Sequence, residues 1–355
     1  MQSKGLYIHV PFCIKKCPYC DFYSQTDISL KDAYTQAVIR NIKQREIYAD
    51  TVYFGGGTPS LLSAEQIKAI LSAVNIADNA EITMECNPNT VNEEYLTDIL
   101  NAGVNRLSFG IQSLNDNELS ALGRIHNSRT AINAVKLAYK AGFRNISGDI
   151  MLCTAGQTMA SLKKTIEGMC ELPLTHISAY LLKIEPETPF GKNEDIYSLL
   201  PDEDQSADMY LLAVRELEKY GFEQYEISNF ARRGFEAVHN TKYWRCEEYY
   251  GIGPSAHSFA DGVRRACPKD ISLFIENETQ PEYVTDSNAG TAEEKVMLSL
   301  RLTKEGIDTE TYPGISERTE PLIKAGLMKK ENSRLMLTPE GCLVSNEIIC
   351  RLINA

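Results

Sequence analysis

The chain has 355 residues, 43% of them hydrophobic and 24% charged, with a formal net charge of −12. That length supports a large core with a smaller unit beside it, and the acidic balance argues against a broad nucleic-acid-binding surface. A run of about 18 apolar residues that would mark a transmembrane helix is missing, and the first residues enter a strand-like stretch in place of a secretion signal.

The expected strands are 6–10, 51–55, 81–85, 106–110, 145–151 and 175–182. Between them the periodicity predicts helices near 30–48, 63–74, 92–101, 128–141 and 158–170. Ser63 with Gln66 reads as a capping box, Ser128 as an N-cap, and Gly103 and Gly142 as helix-terminating glycines. Alternating strands and helices imply parallel β/α units, in a barrel or an open sheet; periodicity leaves that choice open. Either way ligands bind at the C-terminal strand ends. Cys13 follows the first strand, Gly56 and Gly57 the second, Asn87 and Pro88 the third, and Gln112 the fourth.

Past residue 184 the rhythm breaks. A helix is expected over 202–219, then Tyr225–Phe230 and a polar and aromatic loop up to Phe259. Residues 290–355 read as a small helical unit with a hairpin, Met297, Leu298, Leu300 and Leu302 sharing one helix. The expected boundaries are therefore 1–184, 185–289 and 290–355. The last unit is winged-helix-like in order, but its nearly balanced charge favours a packing or lid module over DNA binding.

Ten cysteines in a chain of this size and with no export signal do not read as a disulfide scaffold, so a cytoplasmic location is expected. Three of them, Cys13, Cys17 and Cys20, fall within eight residues as CxxxCxxC. Soft thiolates select iron–sulfur or zinc, and three leave one ligand position short for either. A cluster with one open iron fits that count; three buried or zinc-binding cysteines are the alternative.

This loop, followed by Asp21 and Phe22 and preceded by Tyr7-Ile8-His9-Val10-Pro11-Phe12, resembles the radical-SAM superfamily, in particular the subgroup of oxygen-independent coproporphyrinogen III oxidase and the radical-SAM haem chaperones. The resemblance implies a partial (β/α)6 barrel with a smaller α+β C-terminal region. It also implies a [4Fe-4S] cluster on Cys13, Cys17 and Cys20, with S-adenosylmethionine (SAM) on its fourth iron. On the same resemblance Tyr7, Gly56, Gly57, Thr58, Glu85, Gln112, Arg124 and Asp149 are expected around SAM. Consecutive glycines in Gly55-Gly56-Gly57-Thr58-Pro59 let a ligand approach the backbone closely, and Arg124 suits the methionine carboxylate. Met151–Thr158 departs from the usual Tyr-Gly-Leu-Pro-Gly-like run, keeping only its end in Gly156, Gln157 and Thr158.

Two features favour the chaperones. Phe22 stands where the oxidase has a fourth cysteine, and His239-Asn240-Thr241-Lys242-Tyr243-Trp244 matches their His-Asn-x-x-Tyr-Trp motif. An imidazole ligates haem iron and aromatic rings cover a porphyrin, so His239 is the expected axial ligand and His257 the second choice, the alternative being that haem attaches elsewhere and the motif shapes the cavity; His9 is expected to orient the cysteine loop or pack near SAM. The resemblance thus implies a cytoplasmic haem chaperone, peripheral at the inner face of the membrane. It would take haem from a donor protein, deliver it to a membrane-bound respiratory haemoprotein, act as a homodimer and bind no nucleic acid. Coproporphyrinogen III oxidation and another radical-SAM reaction are the rival readings.

Overall fold

The computed structural model describes residues 3–312 and 315–353. Its first half is a βα repeat of β1 (Lys4–Val10), α1 (Lys31–Arg45), β2 (Tyr48–Gly56), α2 (Ala64–Leu71), β3 (Asn75–Cys86), α3 (Glu93–Ala102), β4 (Arg106–Gln112), α4 (Asp116–Ala121), α5 (Ser128–Ala141), β5 (Asn145–Leu152), α6 (Met159–Cys170) and β6 (His176–Leu181). The six strands lie side by side, parallel and in chain order. This is the expected partial barrel.

Each barrel strand has two chemically different faces. In β4, Leu107, Phe109 and Ile111 are fully buried in the same core as Leu96 and Ile99 of α3 and Val135 of α5. Arg106, Ser108, Gly110 and Gln112 alternate with them and face the barrel interior. Period-two alternation thus sends apolar side chains to the helices and polar ones inward.

The capping box on Ser63 and the left-handed glycines at Gly103 and Gly142 are as expected. Other local expectations need correction. Asn127, not Ser128, caps α5, because its side chain accepts from Thr130 N. Helix α1 stops at Arg45 and α2 at Leu71, since β2 and β3 begin earlier than their apolar runs suggest. The short α4 is an element that the periodicity does not predict.

The chain then forms α7 (Glu203–Lys219), β7 (Glu223–Glu226), β8 (Asn229–Ala231), α8 (Val238–Trp244), β9 (Tyr249–Ile252), β10 (His257–Ala260), β11 (Val263–Ala266), α9 (Ile271–Glu276) and β12 (Tyr283–Asp286). The expected loop up to Phe259 is therefore partly strand. β9 pairs parallel with β1, and β10–β12 extend that side antiparallel; β8 and β7 extend the other side beyond β6. The result is one sheet of 12 strands with β12 and β7 at its two ends.

The last part comprises α10 (Ala292–Ser299), β13 (Ile307–Asp308), α11 (Ser316–Lys324), β14 (Met328–Glu331), β15 (Arg334–Leu337), α12 (Pro339–Leu343) and α13 (Ser345–Ile353), with β13–β15–β14 as a small sheet. Helix α10 ends before Leu300 and Leu302, which are buried beyond it rather than within it. The core is continuous from the barrel into this region through Val296, Leu300, Ile307 and Leu335. Among the described residues no helix is long and apolar enough to cross a membrane.

Helix α8 enters the barrel at the N-terminal ends of the strands. No side chain of its own caps it; Glu81 of β3 does so instead. The Val238 and His239 N–H groups donate to its two carboxylate oxygens at 3.1 and 2.9 Å. Glu81 also lies 3.9 Å from Arg106, which is 2% exposed. A carboxylate at free helix N–H groups and beside a buried guanidinium ties the plug to the sheet. Removing one partner of a buried ion pair costs about 3–5 kcal/mol, but here Glu85 and Asp149 also face Arg106. Glu81→Ala should therefore lower stability by about 2 kcal/mol, read as a shifted urea midpoint at constant slope.

Candidate functional site

At the C-terminal ends of the strands a cavity of about 540 Å³ opens over the barrel interior. Its rim is the loop after β1, where Cys13, Cys17 and Cys20 line the cavity. The loop is pinned by backbone hydrogen bonds: Thr58 N donates to Phe12 O at 2.7 Å, Cys13 N to Gln25 O at 2.9 Å, and Cys20 N to Cys17 O at 3.1 Å. Gly57 allows this approach, since a Cβ there would lie 2.6 Å from Phe12 O and 2.8 Å from Val10 O. On the far side Tyr19 packs with Phe190, and Phe190 N donates to Pro18 O at 3.0 Å.

Gly56, Gly57, Thr58, Glu85, Gln112, Arg124 and Asp149, all expected around SAM, line this one cavity. The Thr58 hydroxyl lies 3.6 Å from Cys13 Sγ and Arg124 lies 3.5 Å from Cys17 Sγ. Arg124 also donates to Gly110 O at 2.8 Å, while its buried Nε has no partner. Glu85 accepts from Tyr53 OH at 2.7 Å and Gly56 N at 3.2 Å, and Asp149 accepts from Ser108 Oγ at 3.2 Å.

Burial pushes the Glu85 carboxyl up to about 7 and the Asp149 carboxyl up to about 6; in Glu85 the neighbouring Asp149 adds to the effect. Two carboxyls whose ionisation burial disfavours, an underused guanidinium and three thiols make a donor set that suits a zwitterion with an added cationic centre beside a thiolate-held cluster. The residues present therefore fit a [4Fe-4S] cluster with SAM. No three His, Cys, Asp or Glu side chains among the described residues converge tightly enough for a single metal ion. A fourth thiol, Cys86, reaches the cavity wall but is 3% exposed, and burial pushes it up to about 12.

Two expected residues stand elsewhere. The Tyr7 hydroxyl bonds His9 Nδ1 at 3.1 Å and its ring stacks on Tyr53 at 6.1 Å, one layer behind the wall. His239 lies in the plug, fully buried, with Nδ1 on Thr51 Oγ1 at 2.8 Å and Nε2 on Tyr243 OH at 2.7 Å. Burial, with Lys242 and Arg106 nearby, lowers its pKa to about 3. The ring is neutral and both nitrogens are engaged, so in this conformation it offers no lone pair to an incoming iron. Its neighbour Asn240 does line the cavity, as do Tyr53, Arg106, Ser108, Ser178 and Tyr180. Arg106, Ser108, Ser178 and Tyr180 are polar members of the alternating pattern in β4 and β6 and Tyr53 lies on β2; Asn240 carried no such signal.

The raised carboxyls set a pH dependence. A folded-state pKa above the unfolded value gives stability that is complete below the unfolded pKa and is lost as pH rises through the folded one. Without ligand, Glu85→Gln should be more stable than the parent at pH 8. The advantage should shrink as pH falls below about 7 and vanish below the ordinary glutamate value of 4.5. Paired thermal melts across that range test this, because the buried histidines, which titrate in the opposite sense, are common to both proteins. Gly57→Ala should disrupt the cysteine loop and abolish cluster reconstitution, read as loss of bound iron, because backbone atoms meet the new Cβ.

The sequence profile of the Radical SAM superfamily matches residues 7–168. A protein described as heme chaperone HemW from Bacillus subtilis is 34% identical over 371 aligned positions, covering 97% of this chain and 98% of that protein. Its namesake from Escherichia coli is 40% identical over 275 positions, covering 73% of this chain and 71% of its own length. Among solved structures, Escherichia coli coproporphyrinogen III oxidase (HemN), described as a radical SAM enzyme, superimposes with a TM-score of 0.83 at 21% identity over 99% of this chain and 90% of that one. That similarity speaks for the fold. Sequence identity sustained along almost the whole chain, over a cysteine loop and cavity of matching chemistry, places this chain in the HemW family of the radical-SAM superfamily.

Proposed function

We propose that this protein is a haem chaperone that binds haem and hands it to acceptor haemoproteins. The carrying observation is the near full-length similarity to proteins described as haem chaperones. The rim supports it: Phe22, where the oxidase has a further cysteine, is 64% exposed and lines the cavity.

In this reading Cys13, Cys17 and Cys20 hold a [4Fe-4S] cluster. When bound, it supplies an open iron for the amino and carboxylate groups of SAM and a source of single electrons. The backbone at Gly56 and Gly57 and the Thr58 hydroxyl form the wall nearest the loop. Arg124 balances the thiolate charge at Cys17 and is placed for a carboxylate; Glu85 and Asp149 are placed for cationic and hydroxyl groups. Gln112, held at φ 69, presents its amide to the same space. Tyr7 acts through His9, whose Nε2 bonds Tyr23 O at 2.8 Å and so fixes the chain leaving the cysteine loop. His239 holds the floor. A cytoplasmic site of action, a haem donor, a membrane-bound respiratory acceptor and a homodimeric state belong to the same proposal.

An anaerobic haem titration of reconstituted protein, followed by incubation with an apo-haemoprotein, tests the reading. Saturable, near-stoichiometric binding and transfer are expected, with no conversion of coproporphyrinogen III. Failure to bind haem, together with turnover of coproporphyrinogen III and release of 5′-deoxyadenosine, would establish the oxidase instead.

A further inference from the structure

A haem chaperone needs an iron ligand that haem can reach and leave. The chain has five histidines. Four are shut in the core: His9 at 3% exposure, His126 at 5%, His176 at 1% and His239 at 0%. His9, His176 and His239 have both ring nitrogens in hydrogen bonds. His126 has one bonded to Ile111 O at 3.1 Å and the other buried. Freeing any of them breaks interactions that each contribute about 1 kcal/mol and strands the former partners. His257 alone is exposed, and its ring makes no hydrogen bond among the described residues.

Its setting suits a flat, apolar, dianionic ligand. On adjacent antiparallel strands His257 pairs with Ala266, and Ala266 with Tyr283, so the three side chains share one face of the sheet. Two strand spacings separate His257 from Tyr283 by roughly 10 Å, with the buried Ala266 between them. Tyr283 is 55% exposed and β12, which carries it, is the uncovered end of the sheet. Its neighbour Val284 is 54% exposed, so this bare sheet edge carries apolar surface on both of its faces. Lys269, exposed and in no ion pair among the described residues, lies close enough to act on the charge of His257. It supplies the cation that a propionate needs.

This patch is also tied to the cysteine loop. Tyr23, three residues past Cys20, accepts a hydrogen bond from Ile271 N at 3.1 Å, two residues past Lys269, while its carbonyl is bonded to His9.

We infer that His257 is the axial ligand of a surface haem site on β10–β12, with Tyr283 against the porphyrin and Lys269 at a propionate. The inference rests on the chaperone reading and adds the location of its cargo. It explains how haem is given up: a ligand on an exposed edge releases its metal to an acceptor without opening the core.

The test is a haemin titration of the full-length, anaerobically reconstituted protein, with absorption and electron paramagnetic resonance spectra of the iron. Wild type, His257→Ala and His239→Gln are compared. Wild type should show imidazole-ligated iron. His257→Ala should keep its circular dichroism, weaken haem binding by at least about tenfold, since even an outer-shell partner of a metal site costs that much, and lose the imidazole signature until free imidazole is added. His239→Gln should retain the signature. Unchanged iron spectra in His257→Ala, or loss of the signature in His239→Gln alone, overturn the inference while leaving haem binding intact. A wild type that binds no haem overturns the inference together with the chaperone reading.

Discussion

Arg106 is a guanidinium buried almost completely at the centre of a parallel sheet, and the interior of the barrel is arranged around it. Glu81 lies on one side of it, and Glu85 and Asp149 feel its charge from the cavity. A charge in that place is tolerable only with compensating carboxylates. Its positive field lowers the Glu85 and Asp149 carboxyls, offsetting part of what burial raises, and helps keep His176 and His239 neutral. The barrel therefore has a polar interior in two layers: a lower one that binds the plug and an upper one that faces ligand.

The plug links those layers to the rest of the chain. His239 bridges Thr51 and Tyr243 beneath the floor, and its ring lies 5.2 Å from Tyr53, a cavity-wall residue that holds Glu85. At the other end of α8, Trp244 lies under Arg301 at 4.2 Å, and Arg301 pairs with the buried Glu226 at 2.6 Å. Residues adjacent in one motif thus serve as capped helix, floor and contact to the C-terminal region. The His239 ring is engaged on both sides, whereas His257 is exposed.

Much of the site was legible because it depends on local spacing. Cys13, Cys17 and Cys20 must share a loop, and the glycines after β2 must lie beside it, whatever else the chain does. Glu85, Gln112 and Asp149 were expected there from the family resemblance; Gln112 ends β4, Glu85 lies one residue before the end of β3 and Asp149 lies within β5, and the parallel strands bring all three to one cavity. What was hidden depends on long-range pairing. β9–β12 are short and lack a clean apolar alternation; they become strands by hydrogen bonding outward from the edge of β1. The cap of α8 comes from Glu81, 158 residues earlier than His239, and no local pattern announces it.

The sequence by itself determined the βα rhythm and the cysteine loop, because periodicity and ligand spacing act over a few residues, and its resemblance to the radical-SAM superfamily supplied the groups expected around the cavity. Only the tertiary structure decided which histidine is reachable. Residue type gives His239 and His257 the same imidazole, but burial and hydrogen-bond partners decide whether a nitrogen lone pair is free. Thr51, 188 residues from His239, closes one ring together with Tyr243 of the same helix, and an uncovered sheet edge leaves the other open.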